Sequence, residues 1–93
     1  MKKPRTENMS AEATFPSPGK RLLVVWTSSY GRPEYGLRLA VDHAFRRQHK
    51  YDKVVIRYHA GGIMDEARVE EILTYMRSMA PNPQVHLVIY GNF

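Results

Sequence analysis

From Arg21 onward the chain alternates between short apolar runs and longer stretches whose apolar residues recur every three or four positions. The run RLLVVWT over 21–27 is continuous, β-branched and aromatic, which predicts a strand covered on both faces. Thr27-Ser28-Ser29-Tyr30-Gly31-Arg32 follows as a polar loop, and Pro33 suits the first turn of a helix. Leu37, Ala40, Val41, Ala44 and Phe45 then fall at helical spacing, with Arg38, Asp42 and Arg46 as an i,i+4 ladder opposite. This predicts a helix over 33–50. A second strand, KVVIRYH over 53–59, is expected to end at Ala60-Gly61-Gly62. Asp65 and Glu66 open a second helix with acidic groups at the positive end of its dipole. Val69, Ile72, Leu73 and Met76 supply its apolar stripe, and Ala80-Pro81-Asn82-Pro83 stops it. The third run, QVHLVIY, covers 84–90.

The order β-α-β-α-β with short connections predicts an α/β fold with parallel strands and right-handed crossovers. The expected architecture is a minimal Rossmann-like domain over 21–93, three layers thick, with a three-stranded parallel sheet. Strand order is 3-2-1 if both crossovers step the same way and 2-1-3 if the direction reverses. Residues 1–20 hold Pro4, Pro16, Pro18 and Gly19 and little with which to build a core, so they read as a flexible, disordered arm. The roughly 73 residues that remain would bury only about 60% of their unfolded surface. With two open sheet edges as well, a homodimer is the expected remedy.

The sequence has 93 residues, 43% hydrophobic and 25% charged, with a mean hydropathy of −0.48, the balance of a soluble chain. No apolar run approaches the ~18–20 residues of a membrane span, so no membrane role is expected. The basic start, Met1-Lys2-Lys3-Pro4, is not followed by an apolar segment, and no secretory signal is expected. There are no cysteines, which excludes disulfides and thiolate chemistry and makes the cytoplasm the default location. The net charge is +5. Four basic and two acidic residues leave +2 in the arm, and ten basic and seven acidic residues leave +3 in the domain. Such a surplus permits an acidic macromolecule, protein or nucleic acid, as partner.

In open parallel sheets, ligands bind beyond the carboxyl ends of the strands. That rule selects Thr27 to Arg32, His59 to Asp65, and Tyr90 to Phe93. Ser28, Ser29, Gly31 and Arg32 offer hydroxyls, backbone donors and a forked cation for an anion. Gly61 and Gly62 would let a ligand approach the backbone, and Asp65 would accept from a sugar hydroxyl. The bland alternatives use the same residues: Ser28, Ser29 and Gly31 suit a β-to-α turn, Gly61-Gly62 a plain turn, and Asp65 a helix cap. Arg46, Arg47, His49, Lys50 and Lys53 form the densest basic cluster. It suits either the negative end of a helix dipole or a phosphate backbone. Tyr30, Tyr35, Tyr51, Tyr58 and Tyr75 fall at no spacing that makes a base-stacking platform. His43 and His49 have no metal-ligand spacing, His86 reads as a packed strand residue, and no metal or cofactor is expected.

The pieces Ser28-Ser29-Tyr30-Gly31-Arg32 and His59-Ala60-Gly61-Gly62 resemble the two ligand loops of the SLOG superfamily. These are Rossmann-like domains that sense or process nucleotides and nucleotide-sugar phosphates. The resemblance covers 21–73. It implies a phosphate-binding role for Arg32 and a place under the ligand phosphate for Gly61 and Gly62. Three readings follow. The first is a binding module for a nucleotide or similar phosphorylated ligand. The second is a non-enzymatic interaction protein that docks through its basic patch, arm or sheet edge, with Arg46, Arg47, Lys50 and Lys53 facing a nucleic acid. The third is a nucleotide or N-glycosidic hydrolase, with His59 and Asp65 as acid and base.

Overall fold

Over 21–27, 53–58 and 85–90 the residues alternate between a more buried and a more exposed side, and that alternation sets the architecture. A computed structural model of the protein describes residues 4–8, 20–28, 33–79 and 84–92. Within these, β1 (Arg5–Asn8), β2 (Arg21–Thr27), β3 (Lys53–Ile63) and β4 (Gln84–Asn92) form one sheet in the order β1-β4-β3-β2. The three later strands are parallel, and β1 lies antiparallel to β4. The α/β class holds, but the expected three-stranded parallel sheet is a four-stranded mixed one. Its fourth strand, β1, lies in the segment expected to be a disordered arm.

The parallel strands follow the 3-2-1 order, so both crossovers step in the same direction. Right-handed connections that step the same way set their helices on the same face. α1 (Pro33–Phe45) and α2 (Glu66–Ser78) accordingly pack together on one side. Two layers result, where three were expected. Val24, Val54, Ile56, Tyr58, Val85, Leu87 and Ile89 point into the core beneath the helices. They meet Leu37, Val41, Ala44, Val69, Leu73 and Met76 from the helices. The intervening strand residues are left uncovered, with Leu23 and Val25 each 56% exposed. A continuous apolar run had implied cover on both faces of β2, and the topology supplies only one.

α1 is shorter than the 33–50 expected because its buried stripe ends at Phe45. Beyond it, Arg46 and Arg47 make a turn and Gln48–Lys50 a single 3-10 turn with no buried residue. β3 is longer than expected, since Ala60-Gly61-Gly62 does not end it. Pairing with β4 moves from His59↔Tyr90 to Ile63↔Asn92, so β3 bulges outward over that interval. Gly91 makes room for the bulge, because a Cβ there would stand 2.9 Å from that of Ala60.

β1 is held from the helix side. Arg5 and Glu7 stand opposite Ile89 and Leu87, whose side chains face α2. Glu7 accepts from Arg77 at 2.7 Å and from Arg5 at 3.1 Å, and Arg5 also pairs with Glu70. Burial opposes ionisation of Glu7, yet the hydrogen bonds from Arg77 and Arg5 prevail and hold its carboxyl below the ordinary glutamate value. The chain itself thus pairs with the β4 edge, and β1 becomes the edge strand on that side.

Candidate functional site

Where β2 ends, Thr27 and Ser28 lie beside His59 of β3 and, next to it, Tyr90 of β4, and those two strands run on to Ile63 and Asn92. Thr27 pairs with His59 and His59 with Tyr90 in adjacent registers. The Ser28 N–H donates to the His59 carbonyl at 3.0 Å, which joins the exit of β2 to β3. The His59 and Tyr90 rings are stacked, with centroids 4.6 Å apart and planes 8° from parallel. They lie on the uncovered side of the sheet, since their neighbours Tyr58 and Ile89 are buried beneath the helices.

Behind this end, Tyr58 ties β3 to α1. Its hydroxyl donates to the Pro33 carbonyl and closely approaches Gly36. A Cβ at Gly36 would collide with that hydroxyl and stand 3.2 Å from the Ser28 Cβ, so this glycine is a packing requirement of the helix start. Burial raises the Tyr58 pKa, and a hydrogen bond with the Ser28 side chain moderates the shift. Ser28 is fixed to β3 through its backbone.

The second expected loop is arranged differently. Gly61 and Gly62 belong to the extension of β3 and are exposed; a Cβ on Gly62 would meet nothing within 4 Å. Asp65 caps α2 by accepting from the Ala67 N–H at 2.9 Å, and its own N–H donates to Glu34 at 2.9 Å. Two of the first donors of α2 are therefore taken by carboxylates, and an anion approaching them meets negative charge. No hydrogen bond joins Asp65 to His59 among the described residues. Of the residues predicted in the first loop, Ser29, Gly31 and Arg32 lie outside the described residues.

The basic cluster divides. Arg46, Arg47 and Lys50 follow α1 at the amino ends of the strands, and the Arg47 guanidinium donates to the His43 carbonyl at 3.0 Å, serving the helix end. Lys53 instead opens β3 in register with Arg21. Sequence reasoning placed Thr27 and Tyr90 in the strand-end segments but gave neither a role. The available signal was phase: each follows a core-facing residue, Ile89 or Trp26, and so shares the other face with His59. Recognising the pair required the strand register.

A groove of about 400 Å³ between the helices is lined by Glu34, Tyr35, Arg38, Arg68, Glu71 and Ile72. None of the predicted site residues reaches it, and its two acids and two bases balance. Among the described residues, no cluster of His, Asp and Glu could hold a metal ion, and no helix is long and apolar enough to cross a membrane. No family model, curated protein or solved structure matches the chain.

Proposed function

We propose that the chain is a binding module for a nucleotide or similar phosphorylated ligand, seated at the carboxyl ends of β2, β3 and β4. The observation that carries this reading is the stacked His59–Tyr90 pair beside Ser28. The two rings occupy each other's inner faces, which leaves an outer face of either ring for a base, and such stacking is sequence-tolerant. Ser28 begins the segment that continues through Ser29, Gly31 and Arg32, whose hydroxyls, backbone donors and guanidinium suit a phosphate. Asp65 and Glu34 stand at the start of α2, where carboxylates suit sugar hydroxyls rather than phosphate. The SLOG resemblance agrees with the first loop and leaves the second, through Gly61 and Gly62, only a backbone contribution. A hydrolase would need an acid and a base sharing one substrate, and the cap made by Asp65 does not favour that role.

Calorimetric titration with nucleoside monophosphates tests the proposal. Arg32→Ala should abolish binding, and Tyr90→Ala should weaken it about tenfold, the scale of one lost stacking contact. Unchanged affinity in both variants would overturn it.

A further inference from the structure

The uncovered face of the sheet is chemically one-sided. Leu23, Val25, Val55 and Val88 form its aliphatic middle, in the rows Leu23–Val55–His86 and Val25–Arg57–Val88. Every charged side chain that the described strand positions place on it is basic. Arg21 and Lys53 share the row at the amino end, and Arg57 lies between Val25 and Val88. Glu7, the carboxylate that the described strands carry, is turned to the helix side and engaged by Arg77 and Arg5. Lys53 and Arg57 make no ion pair among the described residues. Face-to-face packing of a second copy would bring one set of basic groups against another, and like charges disfavour that. The face instead complements a polyanion that also has flat apolar groups.

We infer that this face seats single-stranded nucleic acid, with one base on the His59–Tyr90 pair and the backbone running along β3 over Arg57 toward Lys53. The inference rests on the nucleotide reading of the strand ends and extends its ligand from one nucleotide to several. From His59 to Lys53 the strand runs about 20 Å at ~3.3 Å per residue. That is room for a few nucleotides, and single-strand sites begin at about 4. The aliphatic middle gives bases an apolar floor, while Arg57 and Lys53 meet phosphates. A duplex hides its base faces, so it could not use the ring pair.

The experiment is fluorescence anisotropy of the full chain with an oligothymidylate of about twelve nucleotides, set beside calorimetry with thymidine monophosphate. The oligomer should bind at least tenfold tighter than the monophosphate. With two phosphates engaged, its affinity should fall roughly sevenfold between about 50 and about 200 mM salt. Arg57→Glu, at an exposed position, should weaken the oligomer at least tenfold and leave the monophosphate within twofold. Lys53→Gln should weaken the oligomer severalfold, and it serves as the second variant if Arg57→Glu fails to fold. Equal affinity for oligomer and monophosphate overturns the inference. So does oligomer binding indifferent to both variants, polyglutamate binding as tight as the oligomer, or self-association that excludes the oligomer. Tight oligomer binding without any monophosphate binding supports the sheet face and instead overturns the mononucleotide site at the strand ends.

Discussion

The side of the sheet beneath α1 and α2 and the side turned away from them are made by the same strands, one residue out of phase. On the first, Val54, Ile56, Val85, Leu87 and Ile89 are fully buried, and tightly packed neighbours turn each methyl group into stability. On the second, Leu23 and Val25 are half in water and stand among cations. Aliphatic residues of the same kind thus have different work. The covered ones hold the domain together, and the uncovered ones are available to a partner. Hydrophobicity alone does not tell core from binding surface; the phase of the strand does.

The largest expected effect breaks this comparison directly. Leu87→Ala should destabilise the domain by about 3 kcal/mol, the usual cost of a cavity in a buried site. Leu23→Ala, the same chemical change on the other face, should cost less than about 1 kcal/mol, because that side chain is half solvated already. Urea denaturation of both variants is the check, and equal losses would mean that the two faces are not distinct.

A smaller effect is expected where the covered face meets the edge. Glu7→Gln should cost about 1 kcal/mol by weakening the clamp on β1. Because the folded carboxyl titrates below its ordinary value of 4.5, its contribution is fully present above that pH. It is lost as the pH falls through the lower, folded value. The wild type and the variant should therefore converge in stability under acid and separate toward neutrality. A difference independent of pH would remove the ion pairs from the account of β1.

The smallest effect sharpens the uncovered side. Burial, and then the charge of Lys53, lower the His86 pKa from its ordinary 6.5. Neutral His86 thus favours the fold above pH 6.5, and that share is lost as the pH falls through the folded value. An NMR titration should place the His86 midpoint below 6.5, and Lys53→Met should move it upward without restoring it fully. A midpoint at or above 6.5 would mean that this face carries less positive charge than its residues suggest.

Much of the fold was legible in the chain. RLLVVWT is β2 to the residue, and Val69, Ile72, Leu73 and Met76 are the buried stripe of α2. Asp65 as a helix cap was legible too, because a carboxylate before a helix has an adjacent donor to meet. β1 escaped notice since Arg-Thr-Glu-Asn has no apolar alternation. It is recruited by backbone pairing with β4, 78 to 84 residues away, and by ion pairs to α2, 65 and 70 residues away. The Gly61-Gly62 stretch read as a turn because two glycines usually break a strand. Here the neighbouring Gly91 admits a bulge, and pairing resumes at Ile63.

The sequence by itself determined the local elements and their order, because periodicity, caps and breakers act over a few residues. It also determined the α/β class, because alternating strands and helices with short connections leave few other arrangements. The tertiary structure decided which side of the sheet the helices would occupy, which segment paired with the edge of β4 and which rings would meet. Those outcomes depend on the direction of the crossovers and on strand register, which are settled between segments far apart in the chain. His59 and Tyr90, 31 positions apart, become a stacked pair only once β3 and β4 lie side by side.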